Sequence, residues 1–274
     1  MMTTSECPVR ADPAVIYVDK NAPGPTHDGA SWTEAFTNVQ EALDDAAYGD
    51  KIWVASGVYT PGNAKSDSFT LVPGVELYGG FAGGETSRDQ RDWENNVTVL
   101  SGDIDGDDTT DDSGVVTDTT NISGGNAYRV VTGGGVTETA RLDGFTVTAG
   151  NANRWEDVTL SGAGLYNYAS SPTLAHVTFS GNYAQETVGG GMDNRNASSP
   201  TLIDVTFVGN AADYSGGGMH NGFSNPNLTD VTFRGNLARS QVSNAGGGGM
   251  YNSNSSPMLT RVTFSSNRAR GIGG

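Results

Sequence analysis

Apolar and polar positions alternate along short segments that recur four times between residues 161 and 274. Each repeat carries a Gly-x-x-Asn segment, a Pro-x-Leu segment, and a Val-Thr-Phe segment that is followed three residues later by Asn. In Val205-Thr206-Phe207 the two apolar side chains share one face, which is the two-residue period of a strand. Repeats of 26 to 31 residues with several short strands predict a parallel β-helix, in which one repeat forms one coil.

Asparagine occupies two fixed positions in every one of these coils. Because stacked coils lie about 4.8 Å apart, each amide can bond to the amides in the coils above and below, as side chains do in cross-β stacks. We therefore expect two structural ladders, Asn167, Asn194, Asn221 and Asn252 in one and Asn182, Asn210, Asn236 and Asn267 in the other.

The N-terminal part of the chain shows one helical pattern. Phe36, Val39, Leu43 and Ala47 form an apolar stripe that predicts a helix over residues 31–47, and Thr33 is its expected N-cap. A helix at this place would cover the open end of a solenoid, whose core and strand edges otherwise invite aggregation.

The resulting prediction is an all-β fold, a parallel β-helix with an N-terminal capping α-helix. A flexible tail is expected at residues 1–14, followed by a single β-helix domain over residues 15–274. Its expected parts are the cap and first coil at 15–60, irregular coils with long acidic loops at 61–160, and the four regular coils at 161–274.

Two sequence features resemble a known superfamily. Phe36-x-x-Val-Gln-Glu-Ala-Leu, followed by Gly49-Asp50-x-Ile-Trp-Val-Ala-x-Gly57-x-Tyr59, is similar to the opening of pectin-lyase-like right-handed β-helix proteins. The Gly-Gly-Gly-Met and Phe-x-x-Asn repeats resemble those of polymorphic outer-membrane proteins and related bacterial surface β-helices. The resemblance implies a right-handed helix and a secreted setting. It implies no single activity, because that fold hosts lyases, hydrolases and adhesins.

Charge and composition exclude several classes of protein. Lys and Arg number 15 against 31 Asp and Glu, so the net charge is −16 and a basic nucleic-acid-binding surface is excluded. No run of about 18 apolar residues predicts a membrane span, and the N-terminus lacks the pattern of a signal peptide. A single cysteine, Cys7, excludes a disulfide framework.

An acidic run in the irregular part is the sharpest local signal for a metal. Calcium prefers six to eight oxygen ligands, which alternating aspartates in one loop supply. The alternative is a solvated acidic loop. The candidate Ca²⁺ ligands are Asp103, Asp105, Asp107, Asp108, Asp111 and Asp112.

A second candidate site lies on the outward face of the Gly-x-x-Asn strands. Stacking of the coils places Asp193 beside His220, with Arg195 and tyrosines nearby, and such a mixture of aromatic and polar groups suits carbohydrate recognition. The alternative is a variable solvent-exposed face. The candidate ligand-binding residues are Tyr166, Tyr168, Asp193, Arg195, His220 and Tyr251.

The sequence is compatible with three functions. The regular coils favour a non-catalytic scaffold or adhesin, secreted or on a cell surface, that binds a glycan or another surface. The alternative is a polysaccharide lyase or glycoside hydrolase, with Asp193, Arg195 and His220 as its catalytic candidates. The third is a structural spacer of a longer protein, because the chain stops where another coil would start. At that coil, end-to-end self-association is also expected.

Overall fold

The computed structural model describes residues 13–153, 160–239 and 246–270. Most of these residues lie in short strands or in the turns between them. The strands are β1 (Val15–Val18), β2 (Lys51–Ala55), β3 (Gly57–Tyr59), β4 (Phe69–Thr70), β5 (Glu76–Phe81), β6 (Thr98–Ser101), β7 (Val131–Gly134), β8 (Arg141–Asp143), β9 (Thr146–Thr148), β10 (Asn151–Asn153), β11 (Leu165–Tyr168), β12 (Thr173–Ser180), β13 (Tyr183–Gln185), β14 (Met192–Arg195), β15 (Thr201–Val208), β16 (Ala211–Ala212), β17 (Met219–Gly222), β18 (Asn227–Thr229), β19 (Thr232–Arg234), β20 (Leu237–Ala238), β21 (Met250–Ser253), β22 (Met258–Thr260), β23 (Thr263–Ser265) and β24 (Arg268–Ala269).

The strands form three sheets in which neighbouring strands run parallel and come from successive coils. The first sheet has 13 strands in two columns, β1-β2-β5-β8-β12-β15-β18-β22 and β3-β6-β9-β12-β15-β19-β23. The second sheet is β4-β7-β11-β14-β17-β21, and the third is β10-β13-β16-β20-β24. The described chain is therefore an all-β parallel solenoid, as the repeat pattern predicts. Among its helices, none is long and apolar enough to cross a membrane.

Identical side chains from successive coils stack along the inside of this solenoid. The rings of Phe179, Phe207, Phe233 and Phe264 are nearly parallel, with successive centroids 4.8, 4.7 and 4.8 Å apart. This distance is the spacing between neighbouring strands, so the coil repeat itself sets the ring stacking. Within the last described coil Phe264 is 48% exposed, together with Met258 at 66%. The expected self-association at this coil stays a prediction.

Both asparagine positions form ladders of side-chain hydrogen bonds. Nδ2 of Asn167 donates to Oδ1 of Asn194 at 2.9 Å, and the same contact continues to Asn221 and Asn252 at 2.8 Å each. In the second ladder, Nδ2 of each asparagine donates to Oδ1 of the next at 2.9 to 3.0 Å. This ladder runs from Asn182 through Asn210 and Asn236 to Asn267. Each ladder gives amides hydrogen-bond partners along the repeat, which satisfies polar groups that are costly to bury unpaired. Oδ1 of Asn167, at the start of the first ladder, has no partner among the described residues.

The N-terminal helix is shorter than the apolar stripe predicts. Helix α1 spans Val39–Asp45, and its N-cap is Asn38, whose side chain accepts a hydrogen bond from the backbone N–H of Gln40. The prediction of a helix over residues 31–47 capped by Thr33 was therefore wrong for its first half. The reason is that the backbone of Phe36 pairs with strand β1, donating to the carbonyl of Tyr17 at 2.9 Å.

Two further one-turn 3₁₀ helices lie in the irregular coils, at Arg88–Gln90 and Thr119–Asn121. The expected flexible tail at residues 1–14 falls almost entirely outside the described residues. In each regular coil the first sheet bends at one residue with positive φ: His176 at 49°, Asp204 at 53°, Asp230 at 57° and Arg261 at 52°. This left-handed conformation turns the chain between the two strand columns.

Candidate functional site

The outward face of the second sheet brings two rows of side chains from successive coils into register. Its first row aligns Tyr166, Asp193, His220 and Tyr251, and its second row aligns Tyr168, Arg195, Gly222 and Ser253. Because side chains alternate between the faces of a strand, each row lies on the face opposite to the first asparagine ladder. The repeat thus positions all the ligand-binding candidates of the sequence on one surface.

Asp193 is the centre of this surface and is completely buried. Its Oδ1 lies 2.7 Å from Nδ1 of His220, and its Oδ2 accepts a hydrogen bond from Nε of Arg195 at 2.7 Å. Burial by itself would raise the pKa of Asp193, but the hydrogen bond and charge of His220 and the charge of Arg195 outweigh it and lower that pKa. An ionised Asp193 only accepts hydrogen bonds, so its contact with His220 then requires a proton on Nδ1.

Two glycines explain how a carboxylate on an outward row becomes buried. A Cβ placed on Gly162 would lie 3.0 Å from Cβ of Asp193, and one on Gly189 would lie 2.7 Å from it. Both glycines have positive φ, at 69° and 73°. The loops that precede β11 and β14 can close over Asp193 only because these positions lack a side chain. Asp193 thus acts on its surroundings through His220 and Arg195 and not by touching a ligand.

A surface cavity of about 390 Å³ opens beside this buried carboxylate, and we call it the aromatic groove. The rings of Tyr168 and Phe223, which are 52% and 67% exposed, line this groove together with His220. The ring of His220 stacks on Tyr251 with 5.6 Å between ring centroids. The residues lining the groove are Tyr168, Arg195, Asn196, His220, Gly222, Phe223 and Ser253.

Not all the predicted ligand-binding residues line the aromatic groove. Tyr166 is half-buried, and the guanidinium of Arg129 covers its ring at 3.9 Å from the centroid. Tyr251 lies behind His220 and supports its ring from the next coil. The groove is thus formed by Tyr168, Arg195 and His220 among the predicted residues.

Phe223 is the groove residue that sequence reasoning missed. It has a φ of 53°, a left-handed conformation that is unusual for a bulky side chain, and it is one of the most exposed aromatic residues of the described chain. A signal for it exists in the repeat, because Phe223 stands at the position where the neighbouring coils have Asn196 and Asn254, which also have positive φ. The positive φ belongs to the turn that each regular coil makes here, and the exposure of the ring is what makes Phe223 a candidate contact residue.

The chemistry that the groove offers is hydrogen bonding and stacking on aromatic rings. Because Nδ1 of His220 faces Asp193, Nε2 is the nitrogen left for a ligand or for proton transfer. Among the described lining residues no carboxylate reaches the groove. Most glycosidases need two carboxyl groups on either side of the scissile bond. This arrangement therefore suits binding better than glycoside hydrolysis.

The acidic run folds into a separate cluster beyond strand β6. Carboxylate oxygens of Asp103, Asp107 and Asp108 lie within 4.8 Å of one another, as three ligands of one metal ion would. Nδ2 of Asn126 donates to Oδ2 of Asp108 at 2.8 Å, while Oδ1 of Asn126 is buried without a partner among the described residues. Burial raises the pKa of Asp108 to about 6.

The other three aspartates of the run have different surroundings. Asp105 accepts a hydrogen bond from the backbone N–H of Gly125 at 2.7 Å. Asp111 accepts bonds from the backbone of its own turn, and Asp112 is exposed. A calcium site in this loop stays a prediction, and its geometry favours the set Asp103, Asp107 and Asp108 over all six candidates.

No family model, no curated protein and no solved structure matches this chain.

Proposed function

We propose that the protein is a non-catalytic β-helix scaffold that binds a carbohydrate in the aromatic groove. The observation that carries the proposal is that two exposed rings, Tyr168 and Phe223, line one cavity together with the polar groups of His220 and Arg195. Sugars present apolar C–H faces and a rim of hydroxyls, so they are recognised by aromatic rings combined with a few directed hydrogen bonds. Exposed aromatic residues on a rigid surface favour this use.

The rigidity of the groove also supports binding. His220 is held by Asp193 on one side and by Tyr251 on the other, and Arg195 is held by the same carboxylate. Side chains that are already ordered lose little conformational entropy when a ligand binds. The proposal therefore assigns Asp193 a positioning role, with Tyr168, Arg195, His220 and Phe223 as the residues in contact with the sugar.

The test is a panel of neutral and acidic polysaccharides with two readouts on the same samples. Retardation in affinity gels measures binding, and the release of reducing ends or unsaturated uronate measures cleavage. We expect retardation without product, and a loss of affinity of about tenfold in Phe223→Asn, which removes the ring but keeps a residue suited to positive φ. Tyr48→Ala is the control and should bind like the native protein, since Tyr48 is an exposed aromatic residue outside the groove, at 58% against 67% for Phe223.

A polysaccharide lyase is the second candidate, favoured by one observation. Nδ1 of His220 lies 2.7 Å from the buried carboxylate of Asp193, and in the neutral tautomer with its proton on Nδ1 the Nε2 atom accepts a proton. In that case unsaturated product would appear in the panel and His220→Gln would abolish it. If the panel shows neither binding nor product, the spacer function becomes the better account.

We also propose that the solenoid is right-handed and that helix α1 caps its N-terminal end. The resemblance of residues 36–59 and of the repeats to pectin-lyase-like and bacterial surface β-helices supports a right-handed solenoid that is secreted or surface-borne. Helix α1 supports the capping role, because Val39, Ala42 and Leu43 pack into the main core beside the terminal strand β1.

A further inference from the structure

A second cavity, also of about 390 Å³, lies on the outer side of the first sheet, whereas the aromatic groove lies on the second sheet. It forms where the loop after strand β5 folds back over strands β8 and β12. Its lining residues are Arg88, Asp89, Arg91, Trp93, Arg141, Asp143 and His176. Three guanidinium groups thus meet in one cavity of a chain whose net charge is −16.

The carboxylate of Asp143 organises this basic cluster. Oδ1 of Asp143 accepts a hydrogen bond from Nη2 of Arg91 at 2.6 Å and lies 2.9 Å from Nδ1 of His176. Oδ2 lies 2.8 Å from both Nε and Nη2 of Arg141. Each oxygen of this buried carboxylate thus already has two nitrogen partners. A single negative charge neutralises only one of the two arginines that it holds.

Arg91 is the structural member of the cluster. Its side chain is only 8% exposed, and its guanidinium lies over the rings of Tyr78 and Trp93, at 5.1 and 4.8 Å from their centroids. It also donates to the carbonyls of Gly79 and Asp143. These contacts bind the loop to the sheet and leave Arg91 no free edge for a ligand.

Arg88 and Arg141 are the members that present charge to the cavity. Their side chains are 47% and 27% exposed. Nη1 of Arg88 donates to the hydroxyl of Tyr78 at 3.2 Å, and its nearest carboxylate, Asp89, is 3.7 Å away with its side chain 86% exposed. A pair so exposed to water is weak, so Asp89 neutralises little of the charge of Arg88.

Arg141 and Arg88 keep unused donors in this cavity. Arg141 spends Nε and Nη2 on Asp143 and keeps Nη1, and Arg88 donates only Nη1, to Tyr78. Among the residues that the structure describes, the remaining guanidinium nitrogens of these two side chains have no hydrogen-bond partner. Guanidinium groups bind carboxylate and sulfate oxygens through short, directed hydrogen bonds.

We propose that this cavity is a second ligand site, which takes a single oxyanion group, a carboxylate or a sulfate ester, between Arg88 and Arg141. Among the lining residues three arginines face two carboxylates, Asp89 and Asp143. Glu76, the register partner of Arg141, lies 3.8 Å from Lys51. The chain as a whole repels polyanions, so a small ligand with one charged group suits the site better than a densely charged polymer. This site is independent of the aromatic groove and of the function proposed for it.

The test measures binding of four probes by calorimetry at low salt: inorganic sulfate, glucose 6-sulfate, glucuronate and glucose. We expect at least one anionic probe to bind and glucose not to bind. Binding of glucose 6-sulfate alone assigns the sulfate ester as the group recognised, and binding of glucuronate alone assigns the carboxylate. Binding of both supports a general oxyanion site.

Matched variants locate the binding. Arg88→Gln should weaken affinity at least about tenfold, because it removes a charged donor, and it leaves every contact of Asp143 intact. Arg234→Gln makes the same change at an exposed arginine on strand β19 and should have no effect, as should Phe223→Asn in the groove. Equal unfolding temperatures of the variants exclude a folding defect. The proposal fails if no anion binds at millimolar concentration, if glucose binds as tightly, or if Arg88→Gln binds like the native protein.

Discussion

Nδ1 of His220 lies 2.7 Å from Oδ1 of Asp193, and this contact between successive coils joins a fully buried carboxylate to the edge of the aromatic groove. The coil repeat makes the contact, since the two residues are register partners in strands β14 and β17. A buried negative charge is tolerated only when it is paired and hydrogen-bonded. The pair therefore couples the stability of the solenoid to the geometry of its surface site.

Removal of this carboxylate should be strongly destabilising. Asp193→Ala leaves His220 and Arg195 without their shared acceptor, and we expect the free energy of unfolding to fall by about 3 to 5 kcal/mol. Asp193→Asn should cost less, because the amide oxygen still accepts a hydrogen bond from His220. Urea denaturation of both variants checks this order, and an Asp193→Ala variant as stable as the native protein would contradict the pairing.

The pairing of Asp193 with His220 predicts that the protein loses stability at acid pH. The pKa of Asp193 is lowered in the folded state, so its stabilisation is present above its ordinary pKa of about 4 and is lost as pH falls through the lowered value. The pKa of Asp143 is lowered too, since hydrogen bonds from His176 and Arg91 outweigh the effect of burial. We expect stability to decline below about pH 4, measured as unfolding temperature against pH.

Asp108 should make the folded protein more stable as the pH falls, which is opposite to the effect of Asp193. Its pKa is raised to about 6 in the folded state, so its relative stabilisation is greatest when it is protonated and is lost as pH rises through about 6. Because the group is partly exposed, we expect the metal-free protein to gain only about 1 kcal/mol between pH 7 and pH 5. Asp108→Asn should flatten this part of the profile. An unchanged profile would show that burial does not perturb Asp108.

Calcium binding should offset the free-energy cost of keeping Asp108 ionised in the folded state. A Ca²⁺ ion bound by Asp103, Asp107 and Asp108 should raise the unfolding temperature by several degrees once its concentration exceeds Kd about 100-fold. Asp108→Asn should remove most of this rise. Asp112→Asn changes the same residue type outside the cluster and should retain the rise. Equal responses of the two variants would indicate non-specific screening of the acidic loop.

The second asparagine ladder should be sensitive to single truncations. Nδ2 of Asn210 donates to the carbonyl of Phe179 at 2.9 Å, and its Oδ1 accepts from the backbone and side chain of Asn182. Asn210→Ala leaves these buried groups unpaired, so we expect a loss of about 2 to 4 kcal/mol. Asn227→Ala is the control, because Asn227 is exposed on strand β18. Thermal denaturation of both variants separates the ladder from a general effect of losing an amide.

The phenylalanine stack offers a test of the core itself. Phe207 lies between Phe179 and Phe233 with no exposed surface. Phe207→Ala should cost about 3 to 5 kcal/mol, while Phe207→Leu should cost less because it leaves a smaller cavity. Denaturant titrations with equal m-values would show that the difference lies in packing. Equal losses in the two variants would contradict a tightly packed stack.

Repetition explains why much of this fold could be predicted from the sequence. Once one coil has a strand period, every equivalent residue must stack on its counterpart, so the ladders that start at Asn167 and Asn182 and the row that joins Asp193 to His220 follow from alignment alone. Helix α1 was harder to place, because the apolar stripe of Phe36 fits a helix as well as the bridge to strand β1 that it forms. Local pattern does not decide between a helical bond and a tertiary one.

The sequence by itself determined which residues recur, and hence which share a face and a neighbour, because a parallel stack has only one register that keeps the apolar side inside. Only the tertiary structure decided what the irregular parts cover. The burial of Asp193 and the exposure of Phe223 depend on side chains that differ from one regular coil to the next, and the meeting of Arg88 with Arg141 depends on a loop outside the repeat. Such contacts join residues far apart in sequence, and no periodicity encodes them.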